Sequence, residues 1–218
     1  MTKPMDEIKD RVAAVVVTYN RAEMLRQCLV SLQKQTMPCD ILVVDNASTD
    51  DTQALVQRAA QHDASIFYRN TGENLGGAGG FNFGMRWAVE AGYAFVWVMD
   101  DDCFPEPVAL EKLLDADRLL QGEYGWLSSV ALWTDGRECR MNRPKIKKNF
   151  YDRIELLRDG ILLAEQATFV SLFLKAETIR AVGLPVKEFF IWGDDIEYTR
   201  RITIRGKMPC YVVGQSRV

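Results

Sequence analysis

Apolar residues change period repeatedly over the first 120 positions. Arg11 to Val17 is a continuous run rich in β-branched residues, as expected of a strand buried on both faces. Ala22 to Gln35 then sets Leu25, Cys28, Leu29 and Leu32 on one helical face. Ile41 to Val44 is a second buried strand, and Ser48, Thr49 or Asp50 can cap a helix that ends near His62. Ser65 to Arg69 is a third strand. A glycine-rich turn leads from it to a helix over Phe81 to Glu90, closed by Gly92. Ala94 to Met99 is a fourth strand, and Pro105 and Pro107 open a helix that reaches about Leu120. This alternation implies a parallel sheet covered by helices on both faces.

The second half is less periodic. Tyr124 to Trp133 reads as a strand with a turn at Asp135-Gly136, and Arg137 to Asn149 as a basic loop. Ala167 to Leu174 is a strand, Ala176 to Val182 a short helix, Asp194 to Ile204 a helix and Met208 to Val213 a last strand. No repeat or linker interrupts the chain. It reads as one α/β domain over 1–218, in which 121–218 builds out over the sheet formed by 1–120.

Composition narrows the function classes. With 218 residues, 48% of them hydrophobic, the chain can bury one sizeable core. A net charge of −3 gives no basic footprint for nucleic acid. The apolar stretches are far shorter than the ~20 residues that cross a bilayer. Met1 to Asp10 is polar and has no apolar region that would serve as a signal peptide. The five cysteines are odd in number, widely spaced and without a C-x-x-C pair, which predicts reduced thiols in a cytoplasmic protein.

The chemistry gathers where ligands bind in open α/β sheets, beyond the carboxyl ends of the strands. Thr18-Tyr19-Asn20-Arg21 follows the first strand and Asp45-Asn46-Ala47-Ser48-Thr49-Asp50 the second. Asn74 to Asn82 follows the third and Asp100-Asp101-Asp102 the fourth. Carboxylates crowded at a strand end raise one another's pKa unless a cation neutralises them. In an extended chain Asp100 and Asp102 share a side, a hard-oxygen pair suited to Mg²⁺ or Mn²⁺. The first turn has no glycine and no G-K-[ST] occurs, so neither a Rossmann fingerprint nor a P-loop fits; the glycines allow close approach of a nucleotide or sugar. Asp45 can accept the N–H of a uracil ring. Trp192-Gly193-Asp194-Asp195 sets acids beside aromatics, a sugar-binding combination in which a half-desolvated carboxylate can serve as general base. His62, the one histidine, reads as a solvated residue, and no G-x-S-x-G supports a serine triad. The basic loop around Arg137, Arg140, Arg143, Lys145, Lys147 and Lys148 reads as a solvated loop able to meet an anionic acceptor or a membrane surface.

These segments, in this order and spacing, resemble family 2 glycosyltransferases with the GT-A fold, and the likeness runs over nearly the whole chain. Gly-Gly-Ala-Gly-Gly-Phe, Met-Asp-Asp-Asp and Trp-Gly-Asp-Asp resemble the galactofuranosyltransferase branch in particular. The resemblance implies a Rossmann-like nucleotide-diphospho-sugar transferase with a mixed, mainly parallel sheet. Thr18, Asn20, Arg21 and Asp45 would hold the uridine. Asn74, Gly76, Gly77, Gly80, Phe81 and Asn82 would line the donor's ribose, diphosphate or sugar. Asp100 and Asp102 would bind Mn²⁺ or Mg²⁺, with Asp101 near the donor sugar. Asp195 would be the catalytic base, and Trp192 and Asp194 would face the acceptor. The implied reaction is inverting transfer from a UDP-sugar to a glycan or lipid-linked glycan, with peripheral association at the inner face of the cell membrane. A dTDP-rhamnose donor, a sugar-phosphate nucleotidyltransferase and a non-catalytic nucleotide-sugar or glycan-binding module are the rival readings. The resemblance also leads one to expect a longer protein that supplies a histidine metal ligand beyond Val218.

Overall fold

The computed structural model describes residues 11–218, so the reading of Met1 to Asp10 lies outside the described residues. β1 (Val12–Thr18) is buried along its whole length because it needs partners on both faces. Val12, Ala14 and Val16 meet one apolar layer, with Leu25, Leu29 and Leu32 of α1 (Ala22–Gln33), Val56 of α2 (Thr52–His62), and Leu110 and Leu113 of α4 (Ala109–Leu119). Ala13, Val15 and Val17 meet the other, with Phe81 and Met85 of α3 (Gly76–Glu90), Ile179 of α5 (Ala176–Val182) and Tyr198 of α6 (Asp194–Arg200). A period of two on the strand thus divides the protein into helix, sheet and helix layers.

Among the described residues, nine strands form one mixed sheet in the order β3-β2-β1-β4-β8-β5-β9-β7-β6. β2 (Asp40–Asp45), β3 (Ile66–Asn70) and β4 (Phe95–Asp100) extend β1 in parallel, as the alternating pattern requires. The later strands reverse direction. β8 (Leu172–Lys175) runs antiparallel to β4 and to β5 (Leu127–Val130), β9 (Tyr211–Arg217) is parallel to β5, and β7 (Ile161–Gln166) and β6 (Lys145–Ile146) close the edge antiparallel. No helix among the described residues is long and apolar enough to cross a membrane.

Several elements differ from the sequence reading. α3 starts at Gly76 rather than Phe81, so most of the glycine-rich segment is helix. Its glycines let the helix lie flush on the sheet: a Cβ at Gly80 would stand 2.5 Å from Val17, and one at Gly84 would strike Val15. β7 was not foreseen, and β8 occupies only the end of the strand expected over Ala167 to Leu174. The strand expected over Tyr124 to Trp133 shrinks to β5, while β9 continues past Val213 to Arg217. The basic loop contains β6, whose short pairing with β7 leaves little apolar signature. A chain of buried hydroxyls joins the two halves: Trp97 Nε1 donates to Ser171 (2.8 Å), and Ser129 bridges Ser171 and Ser216 at 2.7 Å each. All five cysteines are free thiols.

Candidate functional site

Strand register brings the polar turns into one row. Thr18 is the partner of Asp45, Asp45 of Asn70, and Val17 of Asp100, so the four parallel strands end together. Their side chains then bond across the rim. Thr18 Oγ1 donates to Asp101 (2.7 Å), and the Arg21 guanidinium reaches Asp101 at 3.1 Å and Asp102 at 2.9 Å. Asn20, held at a φ of 53°, donates its backbone N–H to Ser48 Oγ (2.8 Å) and accepts from the N–H of Thr49 (2.7 Å). That pair of bonds ties the first turn to the second.

Asp45 is fully buried. Its carboxylate accepts from the N–H of Ser48 (2.8 Å), the Tyr68 hydroxyl (2.6 Å) and, at 3.4 Å, the Asn70 amide. Tyr68 and Asn70 were missed by the sequence reading, although their two-residue spacing on a strand places them on the same face. Asn46 was also passed over. It is buried beside Gly80, donates to the carbonyl of Gly76 (2.9 Å), and leaves its Oδ1 as the buried side-chain polar atom without a partner among the described residues.

The aspartate triplet does not continue the strand. β4 ends at Asp100, and the N–H of Cys103 turns back to the Asp100 carbonyl (3.2 Å). The expected alternation, with Asp101 opposite Asp100 and Asp102, therefore gives way to a turn in which one guanidinium binds Asp101 and Asp102 together. Burial, reinforced by Asp102 and Asp101, pushes Asp100 up to about 7. Asp194 adds to that rise, so the second acidic cluster lies within electrostatic reach of the first. No three potential ligand side chains converge on a metal-sized site among the described residues. Asp100 and Asp102 remain a hard-oxygen pair whose mutual repulsion a divalent cation would relieve, with coordination left over for a diphosphate.

Asp194 and Asp195 open α6, where the helix dipole favours negative charge. Asp194 is buried and Asp195 half-buried. Burial raises both above the usual carboxylate range, and Asp195 further raises Asp194. The N–H of Ile196 donates to Asp195 Oδ1 (2.6 Å) and orients it. Ahead of this pair, Phe190 (φ 61°), Trp192 (φ 70°) and Gly193 (φ 89°) turn sharply, and the Trp192 side chain is 84% exposed.

The decisive contact joins segments more than a hundred residues apart. The carbonyl of Phe190 accepts from the N–H of Ala78 (3.1 Å) and sits where a Cβ at Gly76 would be. Gly76 is required there twice over, by its φ of 70° and by that carbonyl. Gly76→Ala should cost about 2–4 kcal/mol through left-handed strain and overpacking and loosen the Phe190 turn. Gly77→Ala meets open space and should change stability by no more than about 1 kcal/mol, in the stabilising direction. Urea denaturation of both variants checks this, and equal midpoints would contradict the stated role of Gly76.

Four further residues expected at the donor, Phe81, Gly80, Asn82 and Asn74, have partners within the protein. Phe81 is buried edge-on against Phe169 (4.8 Å), and Gly80 is packed against Val17 and Asn46. Both pack α3 against its neighbours. Asn82 donates to the Pro185 carbonyl (2.6 Å), holding the segment before Phe190. Asn74 accepts from the N–H of Gly76 (2.9 Å) and shapes the helix start.

Comparison with known proteins adds a family. The profile described as Glycosyl transferase family 2 matches residues 13–120. Galactofuranosyltransferase GlfT1 of Mycobacterium tuberculosis is 32% identical over 92% of this chain and 66% of its own length. An undecaprenyl-phosphate mannosyltransferase of Micrococcus luteus is 31% identical over 90% of this chain and 79% of its own. A crystal structure of GalNAc-T7 with UDP, GalNAc and Mn²⁺ superposes with a TM-score of 0.79 at 14% identity, covering 97% of this chain and 43% of that one. At that identity the likeness shows fold alone. The chain spans just under two thirds of the GlfT1 relative.

Proposed function

Because this chain belongs to glycosyl transferase family 2, we propose that it moves a sugar from a UDP-sugar to a hydroxyl of a glycan or lipid-linked glycan, with inversion. It is a glycosyltransferase with the GT-A fold. The observation that carries the finer reading is the docking of the Phe190 turn on the start of α3. Behind that turn Asp194 lies within electrostatic reach of Asp100, and Asp195 adjoins Asp194 at the start of α6.

In this reading residues 1–120 are the donor half and 121–218 the acceptor half of one domain. Arg21 meets the nucleotide directly. Thr18 acts through Asp101, Asn20 through the Ser48–Thr49 turn, and the fully buried Asp45 through the Ser48 N–H and Tyr68 hydroxyl that it holds beside the proposed base site. Asn74, Gly76 and Gly77 shape the helix start; with the N–H of Gly76 taken by Asn74 and that of Ala78 by Phe190, the N–H of Gly77 is the one that suits the diphosphate. Asp100 and Asp102 would hold Mn²⁺ or Mg²⁺, which when bound neutralises the diphosphate as a leaving group. Trp192 and Asp194 receive the acceptor sugar.

Asp195 removes the acceptor hydroxyl's proton. The acceptor oxygen forms its bond to the anomeric carbon as the bond from that carbon to the diphosphate oxygen breaks on the opposite face. UDP leaves with that electron pair, and the configuration inverts. Two features suit Asp195 to the role. Its raised pKa brings it nearer that of an effective base at neutral pH, and its bond from Ile196 fixes its direction.

Galactofuranose is the sugar proposed, supported by the likeness to GlfT1. Release of UDP or dTDP should be fastest with UDP-galactofuranose when it is compared with UDP-galactopyranose, UDP-glucose and dTDP-rhamnose. Preference for any of the other three would replace the sugar and leave the transferase class standing.

A further inference from the structure

Between β5 and β7, residues 131–160 form an excursion anchored by the buried Cys139 and Leu156. A tight turn at its start is closed by the N–H of Trp133 donating to the Arg137 carbonyl (2.7 Å), and the excursion contains β6, the outermost strand. Its composition sets it apart. It holds eight Lys/Arg and five Asp/Glu, a net +3, in a chain of net −3. Arg137 to Asn149 alone has six cations and one carboxylate. Arg140, Lys147 and Lys148 have no carboxylate partner among the described residues.

The same excursion displays large apolar side chains to solvent: Met141 is 80% exposed, Tyr151 67% and Trp133 51%. Water-exposed Met, Tyr and Trp among unpaired cations match the interfacial zone of a bilayer, where the rings and thioether enter the headgroup layer and the cations face anionic lipid. A merely solvated loop accounts for the charge but not for these side chains. A nucleic-acid surface would account for both, but the net negative charge of the rest of the chain opposes it. The edge also connects to the proposed site, since Glu165 of β7 pairs with Lys145 of β6 (3.0 Å) and with Arg200 at the end of α6 (3.7 Å).

We propose that residues 131–160 form a docking surface for anionic lipid bilayers, with Arg140, Lys147 and Lys148 contacting headgroups and Trp133, Met141 and Tyr151 entering the interface. The proposal is independent of the reaction assigned above, because docking requires neither donor nor metal. The test is flotation of the full chain with vesicles of phosphatidylcholine alone or with 30% phosphatidylglycerol by design, at low and at high salt. Binding should require the anionic lipid and weaken with salt. Joint replacement Arg140→Gln, Lys147→Gln and Lys148→Gln should reduce it on the order of 100-fold. Met141→Ser with Tyr151→Ser should weaken it further while salt sensitivity persists. Circular dichroism and thermal melting of each variant separate loss of docking from loss of fold, and the serine pair, being exposed, keeps the test open if the charge variant unfolds. Undiminished binding by the folded variants, equal binding to both vesicle types, no vesicle binding by the parent chain, or retention of single-stranded RNA in preference to the anionic vesicles would each overturn the proposal.

Discussion

Asp195→Asn is expected to lower turnover by about 10²- to 10⁴-fold, the range for losing general acid–base assistance, while UDP affinity stays within about twofold because the residue acts on the acceptor in the proposed mechanism. Asparagine keeps the shape, and its carbonyl can still accept from the N–H of Ile196, as Asp195 does at 2.6 Å. It cannot take a proton at neutral pH. Burial raises Asp195 above the usual carboxylate range. The base works only when unprotonated, so the wild-type rate should fall as pH drops through that raised pKa. The acid limb should lie at higher pH than a free aspartate would give, and should disappear from the residual activity of the variant. Steady-state kinetics across pH, with calorimetry for UDP, measures both. Normal turnover by Asp195→Asn would move the role to Asp194, the neighbouring acid of the same turn.

The second large effect is expected at Asp102. Asp102→Ala should abolish the metal-dependent part of UDP binding and lower turnover on the order of 10³-fold, the equivalent of several kcal/mol of lost charge stabilisation. Folding should be little affected. The Asp102 side chain is 45% exposed, and its partner Arg21, 48% exposed, keeps its bond to Asp101 at 3.1 Å. An exposed pair of this kind contributes no more than about 1 kcal/mol. Titration of UDP with and without Mn²⁺ is the direct measurement, accompanied by a thermal melt. Metal-enhanced UDP binding that survives the substitution would remove Asp102 from the metal site.

Legibility differed sharply between the two halves. β1, β2 and β4 were readable because both their faces are covered, which writes an unbroken apolar run, and the edge strand β3, with a single buried residue, because helices and unusual polar turns frame it. β7 was not readable: Ile161–Gln166 mixes buried and half-buried positions inside the edge strand β6, only two of its residues pair with β6, and Glu165 and Gln166 break its apolar run. The glycine-rich segment was misjudged as a turn for a related reason. Glycine is a poor helix former in isolation, yet here close packing against Val15, Val17 and Asn46 outweighs propensity. The aspartate triplet was recognised, but not its turn, because Arg21 comes from the first strand's loop and no local pattern announces that it will bridge Asp101 and Asp102.

The sequence by itself determined the α/β class, the placing of Thr18, Asp45 and Asp100 at strand ends, and the two acidic clusters, because periodicity and unusual polar runs are local properties. Tertiary structure alone decided which of these groups meet. It placed Asp194 within reach of Asp100, set the carbonyl of Phe190 on the face of Gly76, and packed Phe81 against Phe169 and Gly80 against Val17. The physical reason is that such contacts arise from the close approach of backbones far apart in the chain. A glycine shows only that an approach is permitted, and the element that makes it is chosen by the packing of the whole sheet.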